Sequence, residues 1–228
     1  HRDLHLSLRR QRQMCIRDRL FWMVLIVGIV ALIGSCAKKD DGSSTTTPTT
    51  YVSTTTTASG SITVGSVTMS GTYASACVTS VNTMIAGGYL PSDAKAWGGL
   101  VVVSGNDNLT QETVSYTDTS CTSVSHRIRT IYDNITVGSA SGSNYPLTMD
   151  KTHQGFLVST TTAETWLEAL LSGQIPLTVG TEAFFEYTGS TNPRYGLISL
   201  TSTTLTWAGV EDNAAEVSSD GALSMTKQ

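Results

Sequence analysis

The stretch Leu100-Val101-Val102-Val103-Ser104-Gly105-Asn106-Asp107-Asn108-Leu109-Thr110-Gln111-Glu112-Thr113-Val114-Ser115-Tyr116-Thr117-Asp118 decides the fold. Leu100 to Ser104 is a compact apolar run rich in β-branched residues, which suit a pleated, buried surface. Gly105-Asn106-Asp107-Asn108 is a turn cluster, because Gly tolerates positive φ and Asn and Asp side chains bond their own backbone. Leu109 to Asp118 then resumes an extended pattern, so residues 100–118 read as a β-hairpin.

Working outward, Ser61-Ile62-Thr63-Val64 and Val67-Thr68-Met69 alternate polar and apolar residues, the period of a half-buried strand. Gly71 to Val78 gives another strand. Val124 to Val137 is strand-like, but its apolar phase slips: Val124 and Ile128 share one parity, Ile131, Ile135 and Val137 the other. A one-residue slip moves side chains to the opposite face, so a bulge or turn is expected near Thr130–Asn134. Further strands are expected at Leu147–Met149, Gly155–Ser159, Leu177–Val179 and Ala183–Tyr187. Tyr195 to Trp207 reads strand, short turn, strand. The tail from Glu211 is polar and reads as frayed, with a short final strand near Ala222–Met225. One helix interrupts the series. Thr161-Thr162-Ala163-Glu164 fits a capping box, with Thr161 as the cap and Glu164 reaching back. Trp166, Leu167, Leu170 and Leu171 follow at helical spacing, and Gly173 stops it. Ile85 to Lys95, with Gly87-Gly88 and Pro91, reads as a loop.

The chain has 228 residues, of which 64 are Ser or Thr, with 14% charged and 7% aromatic. That mix excludes a coiled coil, a collagen-like fibre and a multi-span membrane protein. The net charge is −4, and from residue 60 onward 6 Lys/Arg face 14 Asp/Glu, a net of −8. An acidic domain repels phosphate backbones, so no nucleic-acid partner is expected.

The N-terminal quarter is organised differently. Residues 1–19 carry six Arg, and Arg9-Arg10-Gln11-Arg12-Gln13-Met14-Cys15-Ile16-Arg17-Asp18 resembles a translated sequencing adapter. His1-Arg2-Asp3-Leu4-His5 resembles another piece of the same adapter, so residues 1–19 are left out of fold reasoning. Leu20 to Ile33 is an apolar run of 14 residues, short for a membrane span but the size of a signal-peptide core. Leu32-Ile33-Gly34-Ser35-Cys36 resembles a bacterial lipobox, which implies a signal peptide over 20–35 and lipid attachment at Cys36. Ala37 stands where an Asp would favour the inner membrane, so the resemblance points to the outer membrane. Lys38-Lys39-Asp40-Asp41 resembles the tag of surface-exposed lipoproteins in Bacteroidota. The stretch 36–60 is then a lipid-anchored tether, since Asp40 to Gly60 holds 13 Ser or Thr among 21 residues. It cannot bury enough apolar area to offset its ordering entropy.

Residues 61–228 remain for a folded domain. Its two cysteines, Cys77 and Cys121, sit outside any C-x-x-C context. In an exported domain they are expected to form a disulfide. Gly71-Thr72-Tyr73, a Cys four residues on, a hairpin, and Tyr116-Thr117-Asp118-Thr119-Ser120-Cys121 together resemble small lipocalin-like domains of bacterial lipoproteins. Tyr73 stands where that group carries Trp. The resemblance, like the strand count, implies a mainly β domain: an antiparallel lipocalin-like β-barrel with one short helix. The alternative is a β-sandwich of the immunoglobulin kind.

No catalytic motif is present: there is no Gly-x-Ser-x-Gly elbow, P-loop, Gly-x-Gly-x-x-Gly or EF-hand loop. A Ser/His/Asp triad would have to use His126, which reads as part of a solvated face with Arg127 and Arg129, or His153, which reads as exposed. Asp107 and Asp133 read as turn residues rather than calcium ligands. No metal or cofactor is expected. Trp97, Trp166, Trp207 and Phe185 are the candidate residues for lining an apolar cup; the plainer reading is that these aromatics, with Phe184 and Tyr187, fill the core. The sequence thus points to a non-enzymatic, lipid-anchored envelope module that binds a small apolar or amphipathic ligand. The alternative is a structural or adhesive surface module with a filled barrel.

Overall fold

The computed structural model describes residues 56–187, 193–219 and 222–228. The readings placed on 1–19, on 20–35 and on the tether up to residue 55, Cys36 included, lie outside the described residues. In chain order the elements are β1 (Ile62–Val64), β2 (Val67–Met69), β3 (Thr72–Ser75), α1 (Asn82–Ala86), β4 (Ala96–Val103), β5 (Leu109–Tyr116), β6 (Val124–Val137), β7 (Tyr145–Val158), α2 (Thr161–Leu170), β8 (Glu182–Glu186), β9 (Pro193–Leu200), β10 (Thr204–Glu211), a 3₁₀ turn (Ala214–Glu216) and β11 (Leu223–Lys227).

Eight of these strands close a ring. The antiparallel order β6-β5-β4-β3-β11-β10-β9-β7 is completed by pairing of β6 with β7. A closed ring has no edges to protect; the domain is a barrel and the sandwich alternative falls away. The β4–β5 hairpin pairs Val103 with Leu109 across the turn, as expected. The phase slip in β6 is also there. Register shifts fall between Ile131 and Tyr132 and between Asp133 and Thr136, and Asn134 takes φ +54. Beyond that bulge Ile135 and Val137 join the interior.

Three expectations are corrected. Leu147–Met149 and Gly155–Ser159 are parts of one strand, β7, running through the polar stretch 150–154. Its one edge serves two partners, β9 at 145–150 and β8 at 153–157. Leu177–Val179 is not a strand; Leu177 is buried beneath α2, and only Thr178 makes a bridge, to Thr181. The short final strand expected near Ala222–Met225 is there as β11, but it is not a frayed end: it is a full stave between β3 and β10.

The interior is packed at one end. Tyr73, Val101, Val103, Leu109, Leu147, Ile198 and Trp207 belong to one buried cluster, and the β1–β2 hairpin adds Ile62, Val64 and Met69 to it. Each fully buried side chain of this kind contributes roughly 1.5–3 kcal/mol. Gly65 turns the hairpin at φ +60 with the Tyr145 ring where a side chain would stand, so only glycine fits. The hairpin plugs the end that carries the 104–108 turn; Ser59 N–H donates to Val103 O at 2.9 Å there.

At the other end α2 packs on the barrel. Ala163 and Leu167 are buried against Phe156, Val158 and Leu177. The cap lies one residue earlier than expected: Thr160 Oγ1 accepts from Ala163 N–H at 3.1 Å, and Glu164 N–H donates into the helix ladder at Thr160 O. Gly173, at φ +66, terminates the helix as expected. The stretch expected as loop begins inside a helix: Ile85 and Ala86 close α1, whose Met84 is buried with Val81, Leu90 and Trp97.

Cys77 and Cys121 form the expected disulfide, with Cα atoms 6.1 Å apart. Their loop is organised by Asp118, whose carboxylate accepts from the N–H groups of Ser120, Thr122 and Ser123 at 3.0, 3.1 and 2.6 Å. Those bonds hold its pKa far below the usual carboxylate range.

Candidate ligand groove

A groove of about 550 Å³ opens between α2 and a wall made by the end of α1 and the segment that follows it. One wall is Ile85, Gly88, Leu90 and Ser92, the other Thr161, Thr162, Thr165 and Trp166. The walls are joined by Trp166 Nε1–H, which donates to Gly88 O at 2.9 Å. Leu90 is anchored in the small cluster around Trp97, so that wall rests on the barrel.

Beneath the groove lies a polar knot. Asp93 accepts from Ser125 Oγ at 3.0 Å and from Thr160 Oγ1 at 2.7 Å. One carboxylate therefore ties the 87–95 segment to β6 and to the start of α2. The His126 ring sits 4.7 Å from that of Trp166, and its Nδ1 is 2.5 Å from Ser115 Oγ. His126 is 1% exposed, which corrects its reading as part of a solvated face. Burial pushes its pKa down to about 4 against an opposing pull from Asp93. The ring is neutral at pH 7.

The Ser115–His126 pair beside Asp93 has the composition of a triad but not its layout. Both oxygens of Asp93 are engaged by Ser125 and Thr160. Ser115 is fully buried, and a nucleophile must meet its substrate. The knot holds the mouth together; it does not present a nucleophile.

The four sequence-derived ligand candidates are not brought into one cup. Trp166 lines the groove. Trp97 is buried under the groove's other wall, and Trp207 is in the barrel's main cluster. Core filling thus describes Trp97 and Trp207. It fails for Phe184 and Phe185, which are 50% and 45% exposed on β8. Phe185 stands edge-on to Tyr187, with ring centroids 4.9 Å apart. His153 is half-buried rather than exposed, stacked on Phe184 at 5.3 Å. Asp107 acts in the 104–108 turn, its O accepting from Ile135 N–H. Asp133 is not a turn residue: it lies in β6 opposite Asp150, and its Oδ1 accepts from Asn108 Nδ2. Sequence reasoning missed Ile85, Leu90, Asp93 and Thr160; only Thr160, one place before the expected cap, carried a local signal.

No protein-family model matches this chain, and no curated protein matches its sequence. The closed antiparallel barrel is the architecture that the lipocalin-like resemblance implies.

Proposed function

We propose that this chain is a lipid-anchored protein of the bacterial envelope, held at the outer membrane through Cys36, whose barrel is a non-catalytic binding module for a small amphipathic ligand. The observation that supports it most is the groove at α2. Its volume of about 550 Å³ falls in the range of small-molecule sites. Its lining mixes an indole and two aliphatic side chains with hydroxyls, the surface an amphipathic ligand requires. The acidic domain supports the exclusion of nucleic acid as partner.

A second reading, a structural or adhesive module, draws on two observations. The plugged half of the barrel is filled by its own side chains, and Phe184 and Phe185 stand exposed on β8. Native mass spectrometry of the chain purified from its own kind of envelope separates the two. Binding predicts a reproducible extra mass, lost on denaturation and lost in Thr165→Trp, which fills the groove. A bare polypeptide mass favours the adhesive reading.

A further inference from the structure

One strand stands outside the closed ring. β8 and β9 share one edge of β7, at 153–157 and 145–150. β10 covers the far edge of β9 and ends at Glu211. Among the described residues β8 therefore pairs with β7 alone. Its other edge presents a row of backbone groups with no strand beside them.

The register says which groups these are. Tyr187 N–H donates to Thr152 O at 2.8 Å. Backbone groups alternate between the two sides of a strand, so Phe185 and Ala183 bond β7 as well. Glu182, Phe184 and Glu186 then turn their N–H and C=O groups to the open side.

β8 is held extended from both faces. On one, Arg127 and Arg129 pair with Glu182 at 3.3 and 2.8 Å. Arg129 also lies 4.9 Å over the Phe184 ring, and His153 stacks on that ring at 5.3 Å. Gly155 makes room for this: a Cβ there would stand 2.5 Å from Glu182 Oε1 and 3.1 Å from the Phe184 ring. On the other face Phe185 stands edge-on to Tyr187. An edge already ordered loses little freedom when a strand joins it.

Natural edge strands are commonly guarded by Lys or Pro. β8, Glu182-Ala183-Phe184-Phe185-Glu186, has neither. It exposes an aromatic on each face, Phe184 at 50% and Phe185 at 45%. Strand addition uses such an edge: main-chain bonds hold the added segment, and alternate side chains select it. Charge decides the occupant. Glu182 is met by two arginines, whereas Glu186 is exposed and forms no ion pair among the described residues. A second copy, paired antiparallel about Phe184, would set Glu186 opposite Glu182 twice over. Like charges directly opposite are destabilising, and both domains would carry a net of −8. A basic segment meets neither penalty.

We propose that the open edge of β8 takes an extended segment of a partner protein as a further antiparallel strand. The segment carries an apolar residue opposite Phe184 and a Lys or Arg two positions away, opposite Glu186. This surface is distinct from the α2 groove, and the inference does not depend on a ligand there.

The test uses the full chain in phosphatidylcholine nanodiscs, with empty nanodiscs as blank. It is titrated calorimetrically with the capped peptide Thr-Lys-Val-Val-Val-Lys-Thr and with the same peptide carrying Glu for Lys. The Lys peptide should bind at one saturable site, about tenfold or more tighter than the Glu peptide. N-methylation of its central Val, whose N–H meets Phe184 O, should weaken binding by about tenfold. N-methylation of either neighbouring Val, whose N–H points away, should leave affinity within about threefold. Glu186→Lys, at an exposed position, should reverse the preference between the two peptides. Phe184→Pro removes an edge donor that β7 does not use, and it should abolish binding without loss of the β7 ladder in hydrogen exchange. Equal effects of the two kinds of methylation overturn strand addition. An unchanged preference in Glu186→Lys overturns the basic segment. No saturable binding of the Lys peptide overturns the proposal; self-association of the chain in detergent, lost in Phe184→Pro, would then assign the edge to a second copy.

Discussion

The two halves of the barrel are built on opposite rules. In the plugged half, inward positions are apolar and the β1–β2 hairpin adds Ile62, Val64 and Met69 to a buried cluster. In the other half, inward positions include Gln111, Gln154, Lys151 and Arg194, half-buried beside the exposed Phe185. The first arrangement maximises stability. The second gives stability up, because polar groups on an inner wall forgo apolar burial. Local departures from the rule that stabilises the rest of a fold are where function is expected.

The sharpest break between the halves is the cost of losing an aromatic. Trp207→Ala should destabilise by about 3–5 kcal/mol in urea titration, through lost burial and a cavity. Phe185→Ala should cost under about 0.5 kcal/mol, as surface changes usually do. Comparable losses at the two positions would erase the distinction. Next comes the disulfide, which ties the exit of β3 to the β5–β6 loop across a separation of 44 residues. Replacing both cysteines by Ser should lower stability by about 4 kcal/mol on loop-closure entropy. A loss below about 1 kcal/mol would mean that the Asp118 turn already holds that loop.

Third is the pH response of the mouth. His126 has its pKa lowered to about 4 in the fold, against about 6.5 in an unfolded chain. Above pH 6.5 both states are neutral and its contribution is complete. As pH falls from 6.5 towards 4 the unfolded chain takes the proton first, and roughly 3 kcal/mol is lost. His126→Gln should remove that part of the acid slope, leaving a flatter stability curve in this window. An identical slope in the variant would place the acid sensitivity elsewhere. Smallest is the helix cap. Thr160→Ala should cost about 1 kcal/mol, since Thr160 both caps α2 and donates to Asp93. Thr161→Ala should stay within about 0.5 kcal/mol, and the reverse order in thermal melts would restore the capping box at Thr161.

The same contrast explains what could be read from sequence. The β4–β5 hairpin and the bulge in β6 were legible because apolar alternation reports a packed face directly. β7 looked broken at 150–154 because Asp150 and His153 face outward while Lys151 and Gln154 line a polar inner wall, so neither face is apolar. β11 showed only as a short strand near Ala222–Met225 in a polar tail, because Leu223 and Met225 are its only apolar residues. Its place is set by distant β3 and β10, which no local window contains. For the groove, Trp166 was legible from helical spacing. Leu90 and Asp93 were not, since a non-repetitive segment shows no period, and Ile85 lies in a helix of five residues, too short to show one. The burial of His126 was not legible, since its neighbour Arg127, on the opposite face, is buried too, at 5% exposure.

Hydrogen exchange of the full chain tests the division most directly. The account predicts slow exchange for amides of 100–103 and 205–208, and faster exchange for 151–157 and 182–187. Uniform protection across the barrel would contradict it.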